Sequence, residues 1–148
     1  RLVALDMFVD IQVEHDQLVP MLPMLGDSGV RILVDHCGRP TLEAGLGQPG
    51  FRALLELGAT RRAFVKLSGL VKFSHQPAPY DDAWPCVTAL VDAFTLDHCL
   101  WASDWPYLRA PVRVDYGVLL QLALTLFPDA PDRRKLLWDT PRKLLGFA

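Results

Sequence analysis

Four short apolar runs separated by stretches of helical pattern constrain this chain more than any other feature. The runs are Met7–Val13, Arg31–Asp35, Ala63–Ser68 and His98–Ala102. Each has the length and β-branched or aromatic content of a buried strand. Between them lie Leu18–Leu25, which Pro20 and Pro23 keep short or irregular, and a helix starting at Pro49 that turns Phe51, Leu54, Leu55 and Leu57 to one face and ends near Gly58. Asp81–Phe94 is the next helix, with Val87, Leu90, Val91 and Phe94 aligned, and Val112–Phe127, Asp132–Trp138 and Thr140–Leu145 follow the last strand. Such alternation predicts an α/β fold of parallel strands joined by right-handed crossovers.

Four parallel strands leave two open edges, which proteins normally cover. A closed (β/α)8 barrel takes about 250 residues, and this chain has 148. Two architectures satisfy the pattern at this point: a small open α/β domain, or one half of a barrel.

Three strand ends carry ionisable groups, and parallel α/β folds place their chemistry at the C-terminal ends of strands. Asp104 stands in Trp101-Ala-Ser-Asp-Trp-Pro106, Asp35 and His36 close the second run, and Lys66 and Ser68 close the third, with Lys72 shortly after. Parallel neighbours would bring these to one rim. Each has a plainer reading beside the functional one. Asp104 before Trp-Pro suits a turn, and His36 suits a hydrogen bond to backbone. Lys66 suits a side chain reaching solvent, Lys72 a solvated loop lysine, and Arg39 a turn brace. His15, His75 and His98 read as structural or exposed, and Cys37 as a space-filling residue. Neither Ser68 nor Ser103 has a paired base in the sequence, so no serine nucleophile is expected.

Composition excludes several classes of function. The net charge is −2, with 51% hydrophobic and 22% charged residues. There is no basic stripe for nucleic acid and no apolar run near the ~20 residues of a membrane span. The sequence begins at Arg1 with no signal-peptide pattern. Three widely spaced cysteines without a CxxC argue against a disulfide framework or structural zinc and favour a reducing, cytoplasmic compartment. No repeat, low-complexity tract or linker divides residues 1–148.

The segments Val34-Asp-His-Cys-Gly-Arg-Pro40, Lys66-Leu-Ser-Gly69, Leu100-Trp-Ala-Ser-Asp-Trp-Pro106 and the closing Leu137-Trp-Asp-Thr-Pro-Arg-Lys-Leu-Leu-Gly-Phe147 together resemble the amidohydrolase-related family that includes 2-pyrone-4,6-dicarboxylate lactonase-like enzymes. That resemblance implies a TIM (β/α)8 barrel of which this chain is the C-terminal half, because the family's His-x-His of the first strand has no counterpart here. It implies that Asp104 is the base acting on water, or a metal ligand in metal-dependent relatives, and that His36 contacts the substrate carbonyl. It places Lys72 near a residue that binds a substrate carboxylate, and Gln12 at a polar substrate contact. Tyr107 stands where a histidine often follows Trp-Pro.

Elementary chemistry agrees with this set. Lactone hydrolysis needs a base for water, a proton source and donors where negative charge develops. Asp104 would supply the base, a neutral His36 would donate to the carbonyl, and Lys66, Lys72 or Arg39 would clamp an anionic small molecule. Three functions follow for test: a metal-independent lactonase acting on an organic-acid or sugar-acid cyclic ester, a hydrolase or decarboxylase using Zn or Mn held by Asp104, and an incomplete fragment or interaction domain. The expected partner is the N-terminal barrel half or a partner chain, without which substantial turnover is not expected.

Overall fold

The computed structural model describes residues 1–147. Strands β1 (Phe8–Ile11), β2 (Arg31–Val34), β3 (Ala63–Leu67) and β4 (Cys99–Trp101) form one sheet in the order β1-β2-β3-β4, every pair parallel. Between them run α1 (Leu22–Asp27), α2 (Pro49–Ala59) and α3 (Trp84–Phe94), and after β4 come α4 (Tyr116–Leu126), α5 (Ala130–Arg134) and α6 (Thr140–Leu145).

Both sheet faces are covered, which is why the strands read as apolar runs rather than alternating ones. On the outer face Ile32, Val34, Val65 and Cys99 pack against Leu54 and Leu57 of α2 and Leu90 and Phe94 of α3. Gly58 lets α2 and α3 approach: a Cβ there would lie 2.4 Å from the Phe94 ring. On the inner face Leu33, Phe64 and Leu100 form a separate cluster closed by Leu144 of α6. Thr140, at the start of α6, donates its hydroxyl proton to the carbonyl of Leu96 just before β4. The closing helix therefore seals the N-terminal end of the sheet and leaves the opposite rim open.

The sequence places the elements in order, and the structure moves several boundaries. The first strand is Phe8–Ile11, shorter than Met7–Val13, and a 3-10 turn at Val19–Met21 precedes α1. His98 lies in a 3-10 turn, Leu96–His98, and not in β4; its ring packs on Phe64 at 4.9 Å. Asp81–Ala83 is likewise a 3-10 turn before α3. Helix α4 starts at Tyr116, four residues later than expected, because Asp115 is extended and sits at its N-cap. The stretch read as Asp132–Trp138 begins at Ala130 and runs through a widened turn, Lys135–Asp139, into α6. Pro141 has no N–H to offer the carbonyl four residues back, and the Thr140 N–H reaches Lys135 O, five residues back.

Candidate active site

All the expected site residues gather at the C-terminal rim of the sheet. Asp10 is in β1, Gln12 just past it, Asp35 and His36 follow β2, Lys66 lies inside β3, Lys72 ends a 3-10 turn after β3, and Asp104 lies three residues beyond β4. Gln12, His36, Arg39, Lys66, Lys72 and Asp104 line one cavity of about 710 Å³.

Asp104 is the centre of this arrangement. The Lys72 ammonium donates to Oδ1 at 2.9 Å and lies 2.8 Å from Oδ2, while His36 Nε2 is 3.2 Å from Oδ1. The side chains of Lys72 and Asp104 are only 5% and 9% exposed. Lys72 is thus no solvated loop lysine: the 3-10 turn Leu70–Lys72 points it inward, onto the carboxylate. Trp105 leaves Asp104 and stands 74% exposed at the cavity mouth, and Trp101 packs edge-on against Tyr116 at 5.7 Å. The Asp104 side chain is thus held between Lys72 and His36 and is 9% exposed.

A second cluster lies beside the first. Lys66 Nζ is 2.7 Å from Asp10 Oδ2 and 2.6 Å from Asp35 Oδ1. Burial works against the ammonium, but the bonds to Asp10 and Asp35 outweigh it and hold the Lys66 pKa above its ordinary value. Lys66 is therefore fixed in the rim and does not reach freely into solvent. Arg39 pairs with Glu14 at 3.0 Å.

His36 is held from behind. Its Nδ1 is 3.0 Å from Ser68 Oγ, and Ser68 makes no other hydrogen bond through Oγ among the described residues. The serine proton therefore goes to Nδ1, leaving Nε2 as the N–H that points at Asp104. Gly69 makes this packing possible: it has a left-handed φ of 68°, and a Cβ there would lie 2.9 Å from His36 Cβ. His36 and Asp104 themselves have left-handed backbones, at φ 51° and 62°. Non-glycine residues hold that conformation only when their surroundings enforce it, most often at functional sites. Burial, opposed by the charges of Asp104 and Asp35, lowers the His36 pKa below the ordinary value of 6.5. Cys37 is buried beside it, its thiol pushed up to about 12, and serves as packing.

Sequence reasoning left Ser68 without a partner; the fold gives it one across 32 positions. It also overlooked Asp10, Glu14 and Arg109, which have no motif of their own. A zinc or manganese ion held by Asp104 would need further ligands from outside this chain. Both Asp104 oxygens face an ammonium, and no group of three or more His, Cys, Asp or Glu able to hold a metal occurs among the described residues.

In a complete barrel, Ser68→Ala is expected to lower kcat about tenfold with little change in KM. Without the serine proton on Nδ1, His36 takes up a proton more easily. The acid limb of the rate profile, expected below pH 6.5 in the parent because burial lowers the His36 pKa, should then move to higher pH. A pH series of kcat and KM for both proteins checks this, since a purely structural loss would leave the limb in place.

A parallel β/α sheet carrying a lysine-bound aspartate and a serine-oriented histidine at its C-terminal rim has the layout of half of a (β/α)8 barrel. The family model described as amidohydrolase matches residues 1–147, and the chain belongs to that family. It is 34% identical over 145 residues to a 4-sulfomuconolactone hydrolase of Rhizobium radiobacter, covering 96% of this chain and 48% of that protein. A solved Pseudomonas putida structure, named for 2-pyrone-4,6-dicarboxylic acid hydrolysis, superimposes with a TM-score of 0.84 at 32% identity, covering 97% of this chain and 53% of that one. An amidohydrolase from Burkholderia multivorans, solved with bound zinc, superimposes with a TM-score of 0.86 at 25% identity over 99% of this chain and 55% of its own. The chain spans about half the length of the relatives it matches, and its four strands are half of a (β/α)8 barrel.

Proposed function

We propose that this chain supplies the water-activating half of a lactone hydrolase, working within a complete barrel in which the β1 and β4 edges pair with four further strands. The observation that carries this reading is the buried Lys72–Asp104–His36 cluster opening on the cavity. The ammonium holds the carboxylate in place from one side, and a carboxylate so placed is a base for water. Water attacks the lactone carbonyl as Asp104 takes its proton. As Asp104 takes up that proton, the Nε2–H of His36 and the Lys72 ammonium, both on the carboxylate beforehand, become available to the oxygen on which negative charge develops. The ring C–O bond then breaks, and the proton held by Asp104 passes to the leaving ring oxygen, giving a hydroxy acid. Gln12, Arg39 and Lys66 hold and orient the substrate in this scheme.

A metal-dependent reading is favoured by the zinc in the Burkholderia multivorans relative, whose metal would need ligands outside this chain. One experiment separates the two. A complete barrel containing this chain, dialysed against a chelator and verified metal-free, is assayed for ring opening of 4-sulfomuconolactone and 2-pyrone-4,6-dicarboxylate. Retained turnover supports the proposed chemistry; loss restored by Zn²⁺ or Mn²⁺ selects the metal-dependent reading; no turnover in any state rejects both.

A further inference from the structure

Alternation along the strands puts Asp10, Asp35 and Lys66 on the face that carries Phe8, Leu33 and Phe64, one step nearer the rim. Asp35 keeps to this pattern because it is still extended just past β2, at φ −75° and ψ 148°. An apolar layer inside the sheet is thus followed by a charged one. Lys66 Nζ sits between the two acids, 2.7 Å from Asp10 Oδ2 and 2.6 Å from Asp35 Oδ1. The other oxygen of Asp35, Oδ2, lies 3.8 Å from His36 Nε2.

The His36 N–H therefore has two carboxylates in front of it, Asp104 Oδ1 at 3.2 Å and Asp35 Oδ2 at 3.8 Å. A carboxylate accepts an N–H most strongly at about 2.7–2.9 Å, shorter than either distance, so the choice of acceptor rests on how each carboxylate is held. Lys72 grips Asp104 through both oxygens. Lys66 grips Asp35 through one. The Asp35 backbone is pinned: its N–H donates to Ile11 O and its carbonyl accepts from the Gly38 N–H, both at 2.9 Å. The side chain alone is free to turn. A shift of its carboxylate by about 1 Å brings Oδ2 within hydrogen-bond distance of Nε2 and draws the N–H off Asp104. The ion pair with Lys66 opposes that shift.

We infer that Lys66 is a positioning residue: by occupying Asp35 it reserves the His36 N–H for Asp104 and, once Asp104 has taken its proton, for the carbonyl oxygen of the substrate. This deepens the lactonase reading and rests on it for its kinetic test. Asp35 is then a latent competitor for the one N–H that the chemistry uses. Asp10 holds Lys66 from the far side, and an ammonium with three donors serves both acids at once. The role differs in kind from a substrate clamp. A clamp acts on KM, whereas a residue that directs His36 acts on kcat.

The test compares a complete barrel carrying this chain with its Lys66→Met, Asp35→Asn and double variants in ring opening of 4-sulfomuconolactone. Lys66→Met releases Asp35 onto His36 and should lower kcat about 30-fold, while Asp35→Asn, which removes the competing charge, should cost no more than about threefold. The double variant should regain about tenfold over Lys66→Met, and Lys66→Arg, which keeps a cation between the acids, should recover most of the rate. Loss of a substrate contact at Lys66 raises KM and is not restored by Asp35→Asn. A double variant as slow as Lys66→Met, or a Lys66→Met kcat within about twofold of the parent, overturns the inference. Where Lys66→Met does not fold, Lys66→Gln takes its place under the same criteria. A second readout needs no turnover: in a crystal structure of the Lys66→Met barrel, Asp35 Oδ2 should close on His36 Nε2 from 3.8 Å to about 2.8 Å. An Asp35 that has not moved overturns the inference. If the parent barrel opens no lactone, yet Asp35 closes on His36 when Lys66 is removed, the lactonase reading fails while the control of His36 by Lys66 stands.

Discussion

Replacing Asp104 by Asn in a complete barrel is expected to lower kcat for lactone hydrolysis by about a thousandfold. The amide keeps the shape of the carboxylate but cannot take a proton from water. It also leaves the Lys72 ammonium, 5% exposed, without a counter-charge. Breaking a buried pair from one side typically costs about 3–5 kcal/mol, so chemical denaturation should show a loss of that order. Asp104→Glu separates the two effects: it keeps the charge beside Lys72 and should recover most of the stability, while a displaced carboxylate recovers only part of the rate. Full activity in Asp104→Asn would remove this residue from the mechanism.

The second large effect is expected from Lys72. In Lys72→Met the carboxylate loses its ammonium partner and is left with the histidine N–H at 3.2 Å. The kcat should fall about a hundredfold, since the base loses the contact that positions it and the carbonyl oxygen loses a positive charge. The pH profile should change as well. Burial is the main reason that the His36 pKa is low, and the Lys72 charge adds to it. With the ammonium gone, His36 takes up a proton more easily, so the acid limb moves to higher pH. Activity lost near neutrality is then partly regained at alkaline pH. A uniform loss at every pH would point to misfolding rather than to this role, and Lys72→Arg, which keeps the charge, should retain more rate than Lys72→Met.

Much of the fold was legible because both faces of the sheet are buried. Ile32, Leu33 and Val34 are all apolar because one packs inward and two outward, and that unbroken apolar run is itself the mark of a parallel strand. The boundaries that moved depend on chemistry a hydrophobic pattern does not carry: an extended Asp115 at an N-cap, and a proline that costs the preceding turn its hydrogen bond. Within the site, Asp104 and His36 were visible as polar residues where apolar runs end. Their neighbours were not, because register decides them. Lys66 meets Asp10 across two intervening strand pairings, Asp10 with Leu33 and Leu33 with Phe64, a relation no local spacing reveals. Ser68 offered one local signal, its place between Leu67 and a left-handed Gly69 packed on the His36 ring. Arg109 offered none, lying in a loop whose turns acquire meaning only from the cavity they border.

The central claim, that Asp104 activates water, is tested most directly by one turnover in H₂¹⁸O with enzyme in excess over a lactone. After quenching, mass spectrometry reads both the hydroxy-acid product and the peptide containing Asp104. The account predicts one ¹⁸O in the product carboxylate and none in the peptide, because water itself attacks the carbonyl. An unlabelled product together with ¹⁸O in Asp104 would contradict it, since the carboxylate would then have attacked the substrate and been released by water.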